Sequence, residues 1–300
     1  DTDSYLRING ETLTNRNDSV SGNGEIVSVK LNQPGAVQSL KRIAYDGTPL
    51  PIIDNEFTQA EITTRDIDRR NFPHFLLKEI YESPQSFEKT LRGNLLSENG
   101  SFRVTHSEIE FQNSIREKLE DRTIDKIYVV GQGTAAVAGQ ALSQYLSEET
   151  EISVESIPST ELSGFKLSTD MSNVLVVAIS QSGTTTDTNR TVDLVRGRGA
   201  SVIAIVNRRN SDLSQKADGV IYTSDGRDIE MSVASTKAFY SQVAASILLG
   251  ISIRDHAISE PNDSLTHENR QTFLHELNEL PAKMMSVLKQ QNLIRDIAFE

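Results

Sequence analysis

The sequence contains no cysteine and no tryptophan in its 300 residues. The missing cysteine removes disulfides, thiolate nucleophiles, cysteine-built zinc sites and iron–sulfur clusters together. Long apolar runs are also missing. No stretch approaches the roughly 18 apolar residues a spanning helix needs, and the N-terminal Asp1-Thr-Asp-Ser-Tyr-Leu6 has neither a basic flank nor an apolar signal core. Neither a membrane span nor a cleaved secretion signal is expected, and a reducing compartment such as the cytoplasm fits. Positive charge is scarce: 30 Lys and Arg stand against 42 Asp and Glu, a formal charge of -12 with no local basic stripe. That balance predicts no nucleic-acid or anionic-membrane partner, and it requires any anionic substrate to have a locally built site.

The remaining composition is that of an ordinary folded chain, with 37% hydrophobic and 24% charged residues. Wholesale disorder, collagen and coiled-coil architectures are excluded. At about 150 residues per domain the length suits one large or two ordinary domains. The first residue is Asp, and Leu293-Ile-Arg-Asp-Ile-Ala-Phe-Glu300 still repeats apolar positions at helical spacing, so a piece of a longer chain is expected.

Residues 1–24 are polar and rich in Asn, Ser and Gly, and a loop is expected there. Alternation over Glu25–Leu31 and Leu40–Tyr45, with a turn at Asp46-Gly47, predicts a small β element. A polar connector, Phe57 to Arg70, precedes a helix that opens after Pro73. The pattern then alternates. Phe111, Ile115 and Leu119 mark a helix, and the runs Lys126–Val130, Ile152–Val154, Asn173–Ile179, Ser201–Val206 and Gly219–Tyr222 read as buried strands. Helices are predicted over Thr134–Leu146, from the loop after Ile179 to about Arg196, over Ser235–Ile251, and over His267–Gln290, where Pro281 should kink or divide the last. Five apolar strands separated by helices imply an α/β fold, a parallel sheet covered on both faces, with ligands bound at the carboxyl ends of its strands.

Two of those ends carry chemistry. One runs into Gly131-Gln-Gly-Thr-Ala135, the other into Ser180-Gln-Ser-Gly-Thr-Thr-Thr-Asp-Thr188. Helix N-termini bind phosphate through unpaired N–H groups without Lys or Arg, and hydroxyls add donors. The competing reading is that each Ser/Thr run is a plain helix cap. A third polar entry, Asp228–Ala238, shifts the balance toward a pocket that three loops share. Dinucleotide and Walker-type spacings are absent. His74, His106, His256, His267 and His275 are scattered, so no metal site is expected. Lys237 has two readings, a Schiff-base lysine near phosphate or an ion-paired lysine in a first helical turn. Glu161 and Glu230 could each face the pocket or simply be solvated.

The segments Phe72-Pro-His-Phe-Leu-Leu-Lys-Glu-Ile-Tyr-Glu82, Gly133-Thr134, Ser180-Gln-Ser-Gly183 with Thr185 and Asp187-Thr188, and Val233-Ala-Ser-Thr-Lys-Ala-Phe239 occur in that order. The set resembles the isomerase half of the glutamine:fructose-6-phosphate amidotransferase (glucosamine-6-phosphate synthase) family, from about residue 55 onward. That resemblance implies a sugar isomerase (SIS) domain with a five-stranded parallel sheet. It implies that Thr134, Ser180, Gln181, Ser182 and Thr185 hold phosphate and sugar, with Val233 and Ser235 on the sugar side. It also implies a glutaminase-type tail over 1–55, a linker over 56–72, the first SIS domain over 73–265, and a helical connector over 266–300 toward a second SIS domain. Fructose 6-phosphate or a related sugar phosphate is the implied ligand, no cofactor is implied, and the parent protein should be a homodimer.

Three positions depart from the family pattern. Gln132 and Ala135 replace the Cys and Ser of the usual Cys-Gly-Thr-Ser, and Thr184 stands where the family usually has Glu. The family's glutaminase cysteine is absent, and its catalytic Glu, His and Lys belong to the second SIS domain, so no catalytic residue is expected in this chain. The alternatives are a non-catalytic sugar-phosphate sensor and a lone SIS isomerase, both of which the linker before Pro73 disfavours.

Overall fold

A computed structural model describes residues 4–6, 25–29, 40–44, 47–52, 57–59, 67–105, 110–111, 113–258 and 264–299. The chain divides into two compact units, Asp1–Thr63 and Thr64–Glu300. Among the described residues, no helix is long and apolar enough to cross a membrane.

The first unit holds β1 (Ser4–Leu6), β2 (Glu25–Val29), β3 (Leu40–Ala44), β4 (Pro49–Leu50) and β5 (Phe57–Gln59). Strands β2, β3 and β4 form an antiparallel meander, and β1 pairs antiparallel with β5. Gly47 closes the β3–β4 turn at φ 88°, donating to Ala44 O at 2.9 Å. The two expected strands are present over Glu25–Val29 and Leu40–Ala44, and the remaining residues of both expectations lie outside the described residues. Ser4–Leu6 corrects the expected loop and Phe57–Gln59 the expected connector, because each finds a backbone partner in the other. The rest of 1–24 lies outside the described residues.

The second unit opens with α1 (Phe75–Leu91), the hairpin β6 (Leu95–Glu98) and β7 (Ser101–Val104), β8 (Glu110–Phe111) and α2 (Asn113–Glu120). There follow β9 (Lys126–Gly131), α3 (Thr134–Glu149), β10 (Ser153–Pro158), α4 (Ser159–Phe165), β11 (Val174–Ser180), α5 (Thr186–Arg196), β12 (Ser201–Val206), α6 (Asp212–Lys216), β13 (Gly219–Tyr222), α7 (Lys237–Ala257), α8 (Ser264–Leu288) and α9 (Gln291–Phe299). The sheet order is β10-β9-β11-β12-β13-β8. Its first five strands are parallel, as expected, and β8 adds an antiparallel edge. Phe111 therefore belongs to that edge and not to a helix with Ile115 and Leu119. Pro281 does not divide α8, which runs on through it. Proline deletes one donor and leaves one carbonyl unpaired, which a helix face open to solvent tolerates.

Side chains alternate across a strand, so each buried strand feeds two cores. Leu175, Val177 and Ile179 of β11 pack with Phe87, Leu142, Leu146, Leu248 and Leu274, which come from α1, α3, α7 and α8. Val174, Val176 and Ala178 face Leu162, Val192, Val195 and Leu213 from α4, α5 and α6. Burial on both faces is why these strands read as unbroken apolar runs. The chain leaves β9 through α3 to β10 on one side and returns through α4 to β11 on the other, which puts the reversal of strand order between β9 and β11. In open α/β sheets that crevice is where ligands bind.

Candidate functional site

Strand β11 delivers Ser180, buried to 2% exposure, to the carboxyl edge of the sheet. The following turn is fixed by its own hydroxyls. Ser180 Oγ accepts from Gly183 N at 3.1 Å and lies 3.2 Å from Thr185 Oγ1. Ser182 Oγ accepts from Thr184 N at 3.2 Å and from Thr184 Oγ1 at 3.0 Å. Asn189 Nδ2 donates to the carbonyls of Gly183 and Thr185, both at 3.1 Å. Gly183 sits at φ 66°, left-handed backbone that glycine adopts without strain. Thr185 precedes α5 without a side-chain cap bond, which leaves the N–H groups of the first turn without one.

Strand β9 supplies the second loop. Gly133 turns at φ 58° and ψ -128°, and α3 also begins without a side-chain cap. Gln132 Nε2 donates to Thr160 Oγ1 at 3.4 Å and to Asp187 Oδ2 at 3.3 Å, linking this loop to the starts of α4 and α5.

The third loop, 228–236, is pinned by carboxylates. Glu79, 1% exposed on α1, accepts from Met231 N at 2.5 Å, from Ser232 N at 3.3 Å and from the Ser232 hydroxyl. Glu230 accepts from Ser235 Oγ at 2.8 Å, from Thr236 N at 2.6 Å and from Thr236 Oγ1 at 3.1 Å, ordering the entry to α7. Lys237 Nζ lies 2.8 Å from Glu82 and 2.6 Å from Asp228, and Asp228 accepts from the Ser86 hydroxyl. The α1 anchors Glu79, Glu82 and Ser86 are three and four residues apart, one stripe of that helix.

The ion pair controls the charges. Burial works against ionising Asp228, but the charge and hydrogen bond of Lys237, with the Ser86 hydroxyl, hold its carboxyl below the usual range. Burial likewise works against the Lys237 ammonium, and Asp228 and Glu82 lift it above its usual value. Lys237 is thus the ion-paired lysine of the two readings, not a deprotonated nucleophile. It lines a separate cavity of about 440 Å³ together with Lys78, Glu82 and Asp228.

The three loops enclose a cleft of about 180 Å³, and all seven sequence candidates line it: Thr134, Ser180, Gln181, Ser182, Thr185, Val233 and Ser235. Gln132, Ala135 and Glu230 join them, whereas Glu161 is exposed on α4 and is not part of the lining. Thr184 is exposed and turns back on Ser182. Sequence reasoning missed Ile179, Ser232 and Gln242. Ser232 stood within the polar 228–238 entry, but Gln242 lies in the body of α7 with no local signal. Of the histidines, His74 caps α1, accepting from Leu77 N at 3.2 Å, His256 meets Glu120 at 3.2 Å, and His275 meets Glu279 at 3.8 Å. His106 and the side chain of His267 lie outside the described residues.

Residues 122–252 match the family described as SIS domain. The chain carries a SIS domain. It is 30% identical over 246 residues to a glutamine–fructose-6-phosphate aminotransferase (isomerizing) of Thermus thermophilus, covering 82% of this chain and 38% of that one. Its identity to the enzyme of that name from Corynebacterium efficiens is 35% over 232 residues, 77% of this chain and 34% of the other. For Mycobacterium leprae the figures are 32% over 279 residues, 91% and 41%. The chain therefore spans about two fifths or less of the length of these curated relatives. The solved C-terminal domain of glucosamine-fructose-6-phosphate aminotransferase from Francisella tularensis superposes with a TM-score of 0.64 at 24% identity, covering 77% of this chain and 60% of that one, and shows the shared fold.

Proposed function

We propose that this chain is the sugar-phosphate-binding part of an aminotransferase that makes glucosamine 6-phosphate from fructose 6-phosphate and glutamine. The carrying observation is the convergence of all seven candidates on one cleft at the reversal point of the sheet. In this reading the phosphate is held by the Ser180–Thr185 turn and the sugar by Thr134 and the Val233–Ser235 loop. Uncapped helix starts and hydroxyls supply neutral donors, so a dianion can bind to a chain of charge -12 without a lysine or arginine in the cleft.

Chemistry on the bound sugar needs an acid, a base or an amine, and the one titratable side chain among the described lining residues is Glu230. Its carboxylate is already spent on Ser235 and Thr236. The segment therefore binds and does not turn over alone, and the ammonia-releasing and isomerising groups belong to the remainder of a longer, cytoplasmic, homodimeric protein. The cleft is smaller than the roughly 300–1,000 Å³ of pockets that enclose a ligand of drug size. A fully exposed Val233 at its rim leaves room for a further domain to complete it.

Calorimetric titration with fructose 6-phosphate, glucosamine 6-phosphate and inorganic phosphate tests this, repeated with Ser182→Ala and Thr185→Ala. Saturable binding weakened about three- to tenfold by either substitution is expected for one lost hydrogen bond. Binding that neither substitution alters would place the ligand outside the Ser180–Thr185 turn and overturn the reading.

A further inference from the structure

Gln242 belongs to the body of a helix and not to the Ser180–Thr185 turn. It sits within α7, it is only 2% exposed, and its side chain lines the cleft. Its carboxamide oxygen is buried and has no hydrogen-bond partner. The adjacent Ser241 is satisfied, its hydroxyl lying 3.3 Å from Ser224 Oγ. Native folds keep few buried acceptors unpaired, because each forfeits its hydration with nothing in return. Gln242 lines a polar cleft, and its unpaired amide oxygen is accounted for when a ligand entering that cleft brings the donor.

The type of side chain narrows the donor. The phosphate group of a dianionic ester has only acceptor oxygens and gives Gln242 Oε1 nothing, whereas a sugar hydroxyl donates. The other strong acceptor of the cleft, Glu230, is already occupied by Ser235 and Thr236. A neutral carboxamide also accepts from a hydroxyl without repelling the phosphate dianion nearby, as a carboxylate would. We infer that Gln242 reads a hydroxyl of the sugar and is a specificity-determining residue of the cleft, an inference that rests on the sugar-phosphate reading above.

The test compares the whole chain with Gln242→Met, a side chain of similar length and volume without the amide. Fructose 6-phosphate and inorganic phosphate are titrated calorimetrically into each, and thermal unfolding is followed without ligand. Fructose 6-phosphate should bind the variant about three- to tenfold more weakly, the loss of one hydrogen bond. Inorganic phosphate should bind both proteins equally. The unliganded variant should melt about 2–4 °C higher, because a buried unpaired polar group has become apolar. Unchanged fructose 6-phosphate affinity, equal loss for both ligands, or a lower melting midpoint each overturns the assignment. If the unaltered chain binds phosphate but no sugar phosphate, Gln242 alone loses its role. If it binds neither, the sugar-phosphate reading itself fails and Gln242 falls with it.

Discussion

Replacing Gly183 with alanine probes the Ser180–Thr185 turn at its left-handed residue. Gly183 is at φ 66°, and a Cβ there would stand 2.1 Å from Ser211 Oγ and 2.5 Å from Ser211 Cβ. Placing an L-residue in left-handed backbone costs about 1–2 kcal/mol. Forcing an extra methyl against packed neighbours costs about 1–3 kcal/mol more. Ser211 cannot simply move aside, since it caps α6 and its hydroxyl accepts from Ser214 N at 3.4 Å. The total, about 2–5 kcal/mol, is a large share of the roughly 5–15 kcal/mol of a typical domain. Urea unfolding should show the midpoint falling with an unchanged slope. Repeating the substitution in a Ser211→Gly background separates the two contributions, because the clash disappears and only the backbone cost of about 1–2 kcal/mol remains. Equal losses in both backgrounds, or a loss under about 0.5 kcal/mol in the first, would refute the assignment of the clash to Ser211.

Two further perturbations address the third loop. Glu79→Ala should speed amide exchange over residues 229–236 about tenfold or more, the loss of charge-assisted bonds to Met231 and Ser232, while β11 and β12 stay protected; unchanged exchange in that loop would show that Glu79 does not hold it. Lys237→Met strands Asp228 without its direct counter-charge, while Glu82 keeps Lys78 at 3.2 Å, and should cost about 3–5 kcal/mol. The same pair fixes a pH window. Asp228 titrates lower folded than unfolded, so its contribution is complete above the ordinary value of 3.8 and is lost as pH falls through the lowered one. Lys237 titrates higher folded, so its share is complete below 10.5 and is lost as pH rises through the raised value. Below pH 4 the urea midpoint should therefore drop more steeply for the native sequence than for Asp228→Asn, and parallel profiles would count against the pair.

Strands β11 and β12 were legible because burial on both faces leaves a nearly unbroken apolar run, as in Val174–Ile179, whereas the edge strand β10 carries Ser153, Glu155 and Ser156 and showed only a short apolar signal. The cleft was legible because Ser180-Gln-Ser-Gly183 and Val233-Ala-Ser235 are local signatures. What escaped was either short or distant. Strand β8 is a two-residue edge whose pairing with Gly219 and Val220 is set by the fold and not by its own composition. The β6–β7 hairpin did carry a sign, Asn99-Gly100 with φ 51° and 82°, which is the residue pair a tight two-residue turn demands. Gln242 and Glu79 were invisible for another reason: each acquires its meaning from a neighbour far away in sequence, and periodicity reports only which face of a helix is buried.

The SIS match begins at residue 122, yet the loop that carries Ser232, Val233 and Ser235 is fastened to Glu79, Glu82 and Ser86, more than thirty residues earlier. A fragment trimmed to the matched span would retain the Ser180–Thr185 turn and the five parallel strands while releasing the 228–236 loop from every one of those fastenings. Such a fragment would be expected to recognise inorganic phosphate and be indifferent to what is esterified to it. On the proposed function, the smallest piece able to tell one sugar phosphate from another starts at α1.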